Sequence, residues 1–334
     1  MEPLLKIKNL SLYIEKRGKK TKILRNISYN LYPSQTLAVV GESGSGKTLS
    51  ALSIMNLLPK NAQTEGEILY KGKNLLSFSQ EKMRQLRGNK ISMVFQEPMT
   101  SLNPVLTIGR QISETITTHK KISRKKAIEK SANLLKRVGL SDAERRLNDY
   151  PHNFSGGMRQ RVMIAISMAC LPEIIIADEP TTALDVTVQA QILNLFSKLR
   201  KENEMSLILI THNMAIVSQY ADFVVVFYGG MIMEKGPCEK IFASPLHPYT
   251  KALLDSLPGI GRRKIKLTTI EGMPPNFEEE TGGCPFYPRC KFAFEKCAKN
   301  LPPEFEVETD RRVRCWLLTA EKCRDVRKSF DNYL

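Results

Sequence analysis

The stretch "GESGSGKT", Gly41 to Thr48, satisfies the phosphate-loop pattern G-x-x-x-x-G-K-[ST] at each fixed position. Its residue types state the chemistry. Glycines let backbone N–H groups converge on phosphate oxygens, the Lys47 ammonium neutralises β- and γ-phosphate charge, and the Thr48 hydroxyl can hold Mg²⁺ at the positive end of a following helix. Gly41, Ser43, Gly44, Ser45, Gly46, Lys47, Thr48 and the adjoining Leu49 are the candidate nucleotide contacts. A second acidic element ends the run "IIIADEP", where Asp178 and Glu179 follow four apolar residues. Two carboxylates at the end of a buried strand cost several kcal/mol in desolvation unless a cation lies nearby. Mg²⁺ answers that need, with Asp178 orienting the metal and Glu179 polarising the attacking water.

A third constellation lies near the C-terminus. Of seven cysteines, Cys284, Cys290, Cys297 and Cys315 are separated by five, six and seventeen residues. Structural zinc sites use closer C-x₂-C pairs, and bacterial ferredoxins use C-x₂-C-x₂-C, so the spacing leaves zinc and an iron–sulfur cube both open. Core burial is the third reading, and a segment rich in proline and charge offers little core to enter. Cys170, Cys238 and Cys323 have no such grouping.

These residues need elements to position them. "TLAVV" (Thr36–Val40) runs straight into the glycine loop, and "IIIAD" and "LILITH" have the same continuous apolar texture, as strands of a buried parallel sheet do. Upstream, "LKIKNLSLYI", "ILRNISYNLY" and "GEILYKG" alternate apolar and polar residues, which predicts a small antiparallel sheet. Within Lys120–Leu140, Ala127, Ile128, Leu134, Leu135 and Val138 make one stripe of an amphipathic helix, with Ser123 as N-cap and Gly139 as terminator. The expected fold class is therefore α/β. After about Gly230 prolines recur every few residues and leave only short pieces.

The 334 residues suit one large core plus an appendage. No apolar run reads as a signal peptide or a membrane span, so the expectation is a chain that is neither exported nor membrane-spanning, with thiols in a reducing compartment. A net charge of +16 could attract nucleic acid, but the basic residues fall in short groups ("EKRGKK", "KKISRKK", "GRRKIK") without an aromatic stripe, as on a solvated face.

From about Leu4 to Gly236 the chain resembles an ATP-binding cassette (ABC) ATPase. "NFSGGMRQR" looks like the signature motif, ahead of "IIIADEP", "TTALD" and "LITHN" in the family's order. The resemblance implies a P-loop NTPase core, an N-terminal antiparallel β-subdomain and an inserted helical subdomain at about 97–172, together spanning 1–236. It implies paired cassettes in which Ser155, Gly156 and Gly157 reach the partner's ATP, with Gln96 as the Q-loop ligand to Mg²⁺, Asp185 as the D-loop aspartate and His212 as the switch histidine. An imidazole after "LILIT" can bind the γ-phosphate and orient Glu179, although a lone histidine there is also an ordinary structural hydrogen-bonder. Met158 stands where the signature usually has glutamine. The adenine-stacking position falls near Ile14, with Tyr13 the neighbouring aromatic and a core or surface tyrosine the other reading.

"QEPMTSLNP" (Gln96–Pro104), "ALDVTVQAQIL" (Ala183–Leu193) and "SPLHPYTKALL" (Ser244–Leu254) look like the ATPase subunits of dipeptide/oligopeptide importers. That resemblance covers almost the whole chain. It implies an extension at 237–334, a small irregular metal-bound domain whose four cysteines hold a [4Fe–4S] cluster, with zinc the alternative. A staple of this kind suits a segment that buries too little apolar area to offset its ordering entropy. The expected protein is an ATP-hydrolysing motor on the cytoplasmic face of a membrane, working with permease subunits, a second ATPase subunit and, indirectly, an extracytoplasmic solute-binding protein. The alternative is a soluble ABC ATPase acting on nucleic acid; no nucleic-acid partner is expected on the first reading.

Overall fold

The structure, a computed structural model, describes residues 2–182, 184–257, 270–277 and 282–319, and of Pro98 and Met99 the backbone alone. Ala183, the basic group at 261–266 and Cys323 lie outside the described residues.

The alternating N-terminal runs become β1 (Leu5–Lys16), β2 (Lys19–Leu31), β4 (Ala62–Tyr70) and β5 (Lys73–Asn74), an antiparallel sheet in the order β2-β1-β4-β5. Its inward residues, among them Leu5, Ile7, Leu10 and Leu12, are fully buried, while Lys6 and Lys8 face out. Arg17 and Gly18 close the first hairpin with positive φ at both positions, the conformation that matches the twist of the flanking strands.

The continuous apolar runs form the second sheet. β3 (Thr36–Val40), β6 (Ile91–Val94), β7 (Ile174–Asp178), β8 (Ser206–Thr211) and β9 (Phe223–Tyr228) are parallel to one another, and β10 (Met231–Pro237), β11 (Phe305–Glu308) and β12 (Arg311–Val313) extend one edge antiparallel, in the order β11-β12-β10-β9-β3-β8-β7-β6. Every residue of β3, β7 and β8 is buried, because both faces of the sheet are covered. Each fully buried Leu, Ile or Val there contributes about 1.5–3 kcal/mol.

Between β6 and β7 the chain makes the helices Ile108–His119, Arg124–Arg137 and Gly156–Ser167. The second starts where the Ser123 hydroxyl accepts the Lys126 N–H and ends before Gly139, whose φ is +79°. Its stripe of Ala127, Leu134, Leu135 and Val138 is buried against Ile112, Ile116, Val162 and Phe196.

The proline-broken C-terminal part packs onto the sheet. Tyr228 and Met231 share one apolar cluster with Tyr249, Cys284, Phe286 and Cys297. The two short strands also join the main sheet, β12 pairing with β10. Beneath that pairing, Glu234 of β10 is completely buried, accepts the backbone N–H groups of Leu246 and His247, and meets Arg311 Nη2 at 3.0 Å. Among the described residues no helix is long and apolar enough to cross a membrane.

Candidate active site

β3, β8 and β7 lie side by side and parallel, so their C-terminal ends deliver three chain segments to one edge of the sheet, the usual ligand position in open α/β sheets. β3 delivers Gly41–Thr48, β7 delivers Asp178 and Glu179, and β8 delivers His212. An open cavity of about 700 Å³ lies there, lined by residues 41–49, Gln96, Glu179 and His212, with Leu253, Ser256 and Ile270 from the C-terminal part on its rim. That size falls within the range of small-molecule and cofactor sites.

The loop's geometry follows from its composition. Gly44 and Gly46 have φ of +76° and +101°, and a Cβ on Gly46 would come within 2.6 Å of Leu24 Cδ2. Gly46 then caps the helix Lys47–Ile54, aiming that helix's N-terminus into the cavity. Lys47 is buried and its ammonium donates to the carbonyls of Gly41 and Glu42, both at 2.8 Å. Burial lowers its pKa, while Glu179, Asp178 and Glu42 push the other way. The Ser45 hydroxyl is buried without a hydrogen-bond partner. A nucleotide phosphate fits this set, since the loop carries more donors than the protein itself satisfies.

On the opposite wall Thr48 Oγ1 donates to Asp178 Oδ1 at 3.2 Å. Asp178 is 2% exposed, and burial raises its pKa, with Glu179 adding to the rise and Thr48 and Lys47 opposing it. A divalent cation between Thr48 and Asp178 would reverse that cost. Glu179 leaves the strand with φ +44°, a left-handed conformation costing about 1–2 kcal/mol for a residue with a side chain. Its Oε2 accepts from Thr182 Oγ1 at 3.0 Å and lies 3.2 Å from His212 Nδ1. The His212 bond depresses the Glu179 pKa, and the same bond raises that of His212. The arrangement can hold a triphosphate by its loop, a cation by Thr48 and Asp178, and a water beside an ionised Glu179.

Three expected site elements stand elsewhere. Ser155 caps the helix Gly156–Ser167 through the Met158 N–H and is exposed, outside the lining of the cavity. Asp185 caps Val186–Asn203, accepting the Val188 N–H at 2.9 Å. Tyr13 does not line the cavity; Lys20 covers its ring at 4.3 Å and its hydroxyl donates to Glu65.

Two features escaped sequence reasoning. The Glu42 backbone N–H donates to the Tyr249 hydroxyl at 2.8 Å, and the Glu42 carboxylate is gripped by Arg289 at 2.6 and 2.9 Å. The residue types were visible, but no local pattern joins positions so far apart in the chain.

Cys284, Cys290, Cys297 and Cys315 line one small cavity with Phe286, Phe292 and Trp316. Burial pushes the Cys284 and Cys290 thiols up to about 12 and about 11, and raises that of Cys315 as well, with neighbouring cysteines adding to each rise. Backbone N–H groups of Phe286 and Tyr287 donate to Cys284, that of Phe292 to Cys290 and that of Leu317 to Cys315. Among the described residues no three His, Cys, Asp or Glu side chains form a group that could hold a metal ion. The metal-bound character expected of this part is therefore not shown by the structure.

Comparison with known proteins agrees with the geometry. The ABC transporter family profile matches residues 24–182, and the profile of the oligopeptide/dipeptide transporter C-terminal region matches 233–297. A putative peptide import ATP-binding protein of Brucella melitensis is 47% identical, covering 94% of this chain and 97% of the relative. The dipeptide transport ATP-binding protein DppD of Bacillus subtilis is 46% identical over 95% of both chains, and that organism's oligopeptide transport ATP-binding protein AppD is 45% identical over 96% of this chain and 98% of its own. Among solved structures, a dimeric ATP-binding cassette in a post-hydrolysis state with ADP and phosphate aligns at TM-score 0.63 and 26% identity over 70% of this chain and 98% of its own. CbiO1 of Clostridium perfringens, part of an ABC transporter complex, aligns at 0.62 and 27% identity over 73% of this chain and 92% of its own. The chain belongs to the ABC transporter ATPases, in the branch of oligopeptide/dipeptide transporter ATP-binding proteins.

Proposed function

We propose that this chain is the ATP-hydrolysing motor subunit of an importer for dipeptides or oligopeptides. The observation that carries the reading is the convergence of Lys47, Thr48, Glu179 and His212 on one cavity at the ends of three adjacent strands, with Asp178 bonded to Thr48. Lys47 and the loop N–H groups bind the β- and γ-phosphates, joined by the Ser45 hydroxyl. Thr48, Asp178 and Gln96 hold Mg²⁺, which when bound neutralises charge on the phosphates. Glu179 orients and deprotonates the attacking water, and His212 holds Glu179 ionised and in place. Tyr13 stays a candidate for adenine stacking only if its lysine-covered ring turns towards the nucleotide.

The active unit is a pair of cassettes. Ser155, Gly156 and Gly157 stand at an exposed helix N-terminus, and within this chain a Cβ on Gly156 would meet only Leu184 at an ordinary 3.6 Å. Gly157 is different, because its Cβ would lie 2.7 Å from Val188. Internal packing thus explains one glycine and not the other, and approach of the partner's γ-phosphate explains Gly156. Asp185 lies one turn from the same surface. The partner cassette is a second ATPase subunit, identical or related, and the pair docks on transmembrane permease subunits at the cytoplasmic face of the membrane through the surface at 96–104. A solute-binding protein outside the membrane selects the peptide. The named relatives are peptide-transport proteins, which supports this reading over a cassette acting on nucleic acid.

Residues 1–236 make the nucleotide-binding unit, with the helical part at about 97–172, and 237–334 the importer-type extension. Its four cysteines hold a [4Fe–4S] cluster. A shared cavity, apolar walls and N–H donors to three of the sulfurs suit thiolate ligands of a cluster. The cluster supplies crosslinks that hold a segment with little core of its own.

Uptake of a labelled dipeptide into cells whose chain carries Lys47→Ala tests the transport reading. Loss of ATP-dependent uptake is expected, and undiminished uptake would contradict it. For the cysteines, an anaerobic visible spectrum with metal and sulfide quantified should give a brown protein with about four irons and four sulfides per chain. A colourless protein with one zinc would replace the cluster by a zinc module.

A further inference from the structure

Arg289 lies one residue before Cys290, yet its side chain reaches the nucleotide loop. Only 5% of it is exposed. Nη1 and Nη2 hold the two carboxylate oxygens of Glu42 at 2.6 and 2.9 Å. The remaining donor directions go to the Tyr228 hydroxyl at 3.0 Å and to the carbonyls of Glu271 and Ile270 at 2.9 and 3.1 Å. The planar fork is thereby fully used, and the bidentate pair is the strong form of such contacts.

Glu42 is the second residue of the phosphate loop and lines the cavity. Its carbonyl accepts from Lys47 Nζ, and its N–H is held by Tyr249. A free carboxylate at this place would repel a triphosphate in a partly desolvated site. Pro274, Pro275 and Phe277 lie against the outer side of the same loop, around Glu42, Ser43, Gly44 and Ser45.

We propose that Arg289 is a positioning residue of the nucleotide site: by neutralising Glu42 and fixing the loop segment that anchors Lys47, it makes the cysteine-bearing C-terminal part a determinant of ATP affinity. The proposal rests on the nucleotide-binding reading above and goes beyond it, since it assigns the extension a task at the phosphate loop. Coupling of this kind is reciprocal, so bound nucleotide also holds the extension in place.

The test uses the purified full chain, as wild type, Arg289→Ala, Arg289→Lys, Glu42→Gln and the Arg289→Ala/Glu42→Gln double variant. Mg-ATP affinity is read by calorimetry, kcat and KM by phosphate release, and amide exchange is followed across 284–297. Arg289→Ala should weaken ATP binding about tenfold, expressed in KM rather than kcat. Lysine should recover part of the loss, because it keeps the charge but not the fork. With the carboxylate removed there is less to neutralise, so adding Arg289→Ala to Glu42→Gln should cost less than about threefold. Nucleotide should slow exchange at 284–297 in the wild type and in neither single variant that breaks the pair.

Equal affinity in wild type and Arg289→Ala overturns the proposal, and so does a double variant that loses a further tenfold, which would give Arg289 a role independent of Glu42. Should Arg289→Ala fail to fold, the lysine and Glu42→Gln arms decide: full nucleotide-dependent protection of 284–297 in Glu42→Gln overturns the coupling. A wild type that binds no ATP overturns the functional reading and this proposal together. Wild-type binding with unchanged variants overturns this proposal alone.

Discussion

His212 Nδ1 lies 3.2 Å from Glu179 Oε2, joining the end of β8 to the residue after β7 across the mouth of the nucleotide cavity. Each member favours the charged form of the other: the contact lowers the Glu179 pKa and raises that of His212. Thr182 supplies a second donor to Glu179. His212→Ala should therefore leave ATP binding nearly intact and lower kcat about 10²-fold, because the base loses its orienting partner. Turnover measured at saturating Mg-ATP checks this, and an unchanged kcat would remove His212 from the chemistry.

The Glu234–Arg311 pair makes a prediction about stability. Glu234 is completely buried and Arg311 nearly so, and the pair ties β12 to β10 under the start of the helix Pro248–Asp255. Burial raises the Glu234 pKa against the opposing pull of the His247 N–H and of Arg311. Arg311→Met leaves a buried carboxylate without its cation and should cost about 3–5 kcal/mol in urea unfolding. Glu234→Gln in the same chain should restore part of the loss, since the double change removes both charges. A single variant as stable as the wild type would contradict the pairing.

His247 gives a dependence on pH. It is 1% exposed, its Nδ1 accepts the Tyr249 N–H at 3.0 Å, and burial lowers its pKa to about 3. The unfolded chain takes up a proton on this histidine below about pH 6.5, whereas the folded chain does not until about pH 3. Stability contributed by the neutral ring is thus complete above the unfolded pKa and falls as pH drops through the window between the two values. The slope is about 1.4 kcal/mol per pH unit for one group. Asparagine can accept the same N–H without titrating, so His247→Asn should flatten the acid limb by about that amount. Identical limbs in the two proteins would contradict a buried neutral His247.

Much of the nucleotide site was legible because its conformation is written locally. Gly41–Thr48 follows its own strand, Asp178 and Glu179 end another, and Ser123 and Gly139 delimit a helix within a few residues. What was not legible depends on contacts distant in sequence. Arg289 and Glu42 are separated by 247 positions and Arg311 and Glu234 by 77, and neither pair leaves a periodic trace. β11 alternates half-buried and exposed residues and β12 spans three residues, so both exist through the sheet edge they join rather than through their own pattern. The facing side of Tyr13 was not legible for a third reason. β1 shifts register between Leu10 and Leu12 and again between Leu12 and Tyr13, and each irregularity breaks the alternation from which a strand's facing side is read.

The most direct measurement is phosphate release from Mg-ATP by the wild-type chain and by Glu179→Gln, with ATP binding titrated on the same samples. Glutamine keeps the shape of Glu179 but cannot accept a proton from water, so turnover should fall at least about 10²-fold while ATP still binds. Turnover within twofold of the wild type would contradict Glu179 as the base and the active site built around it.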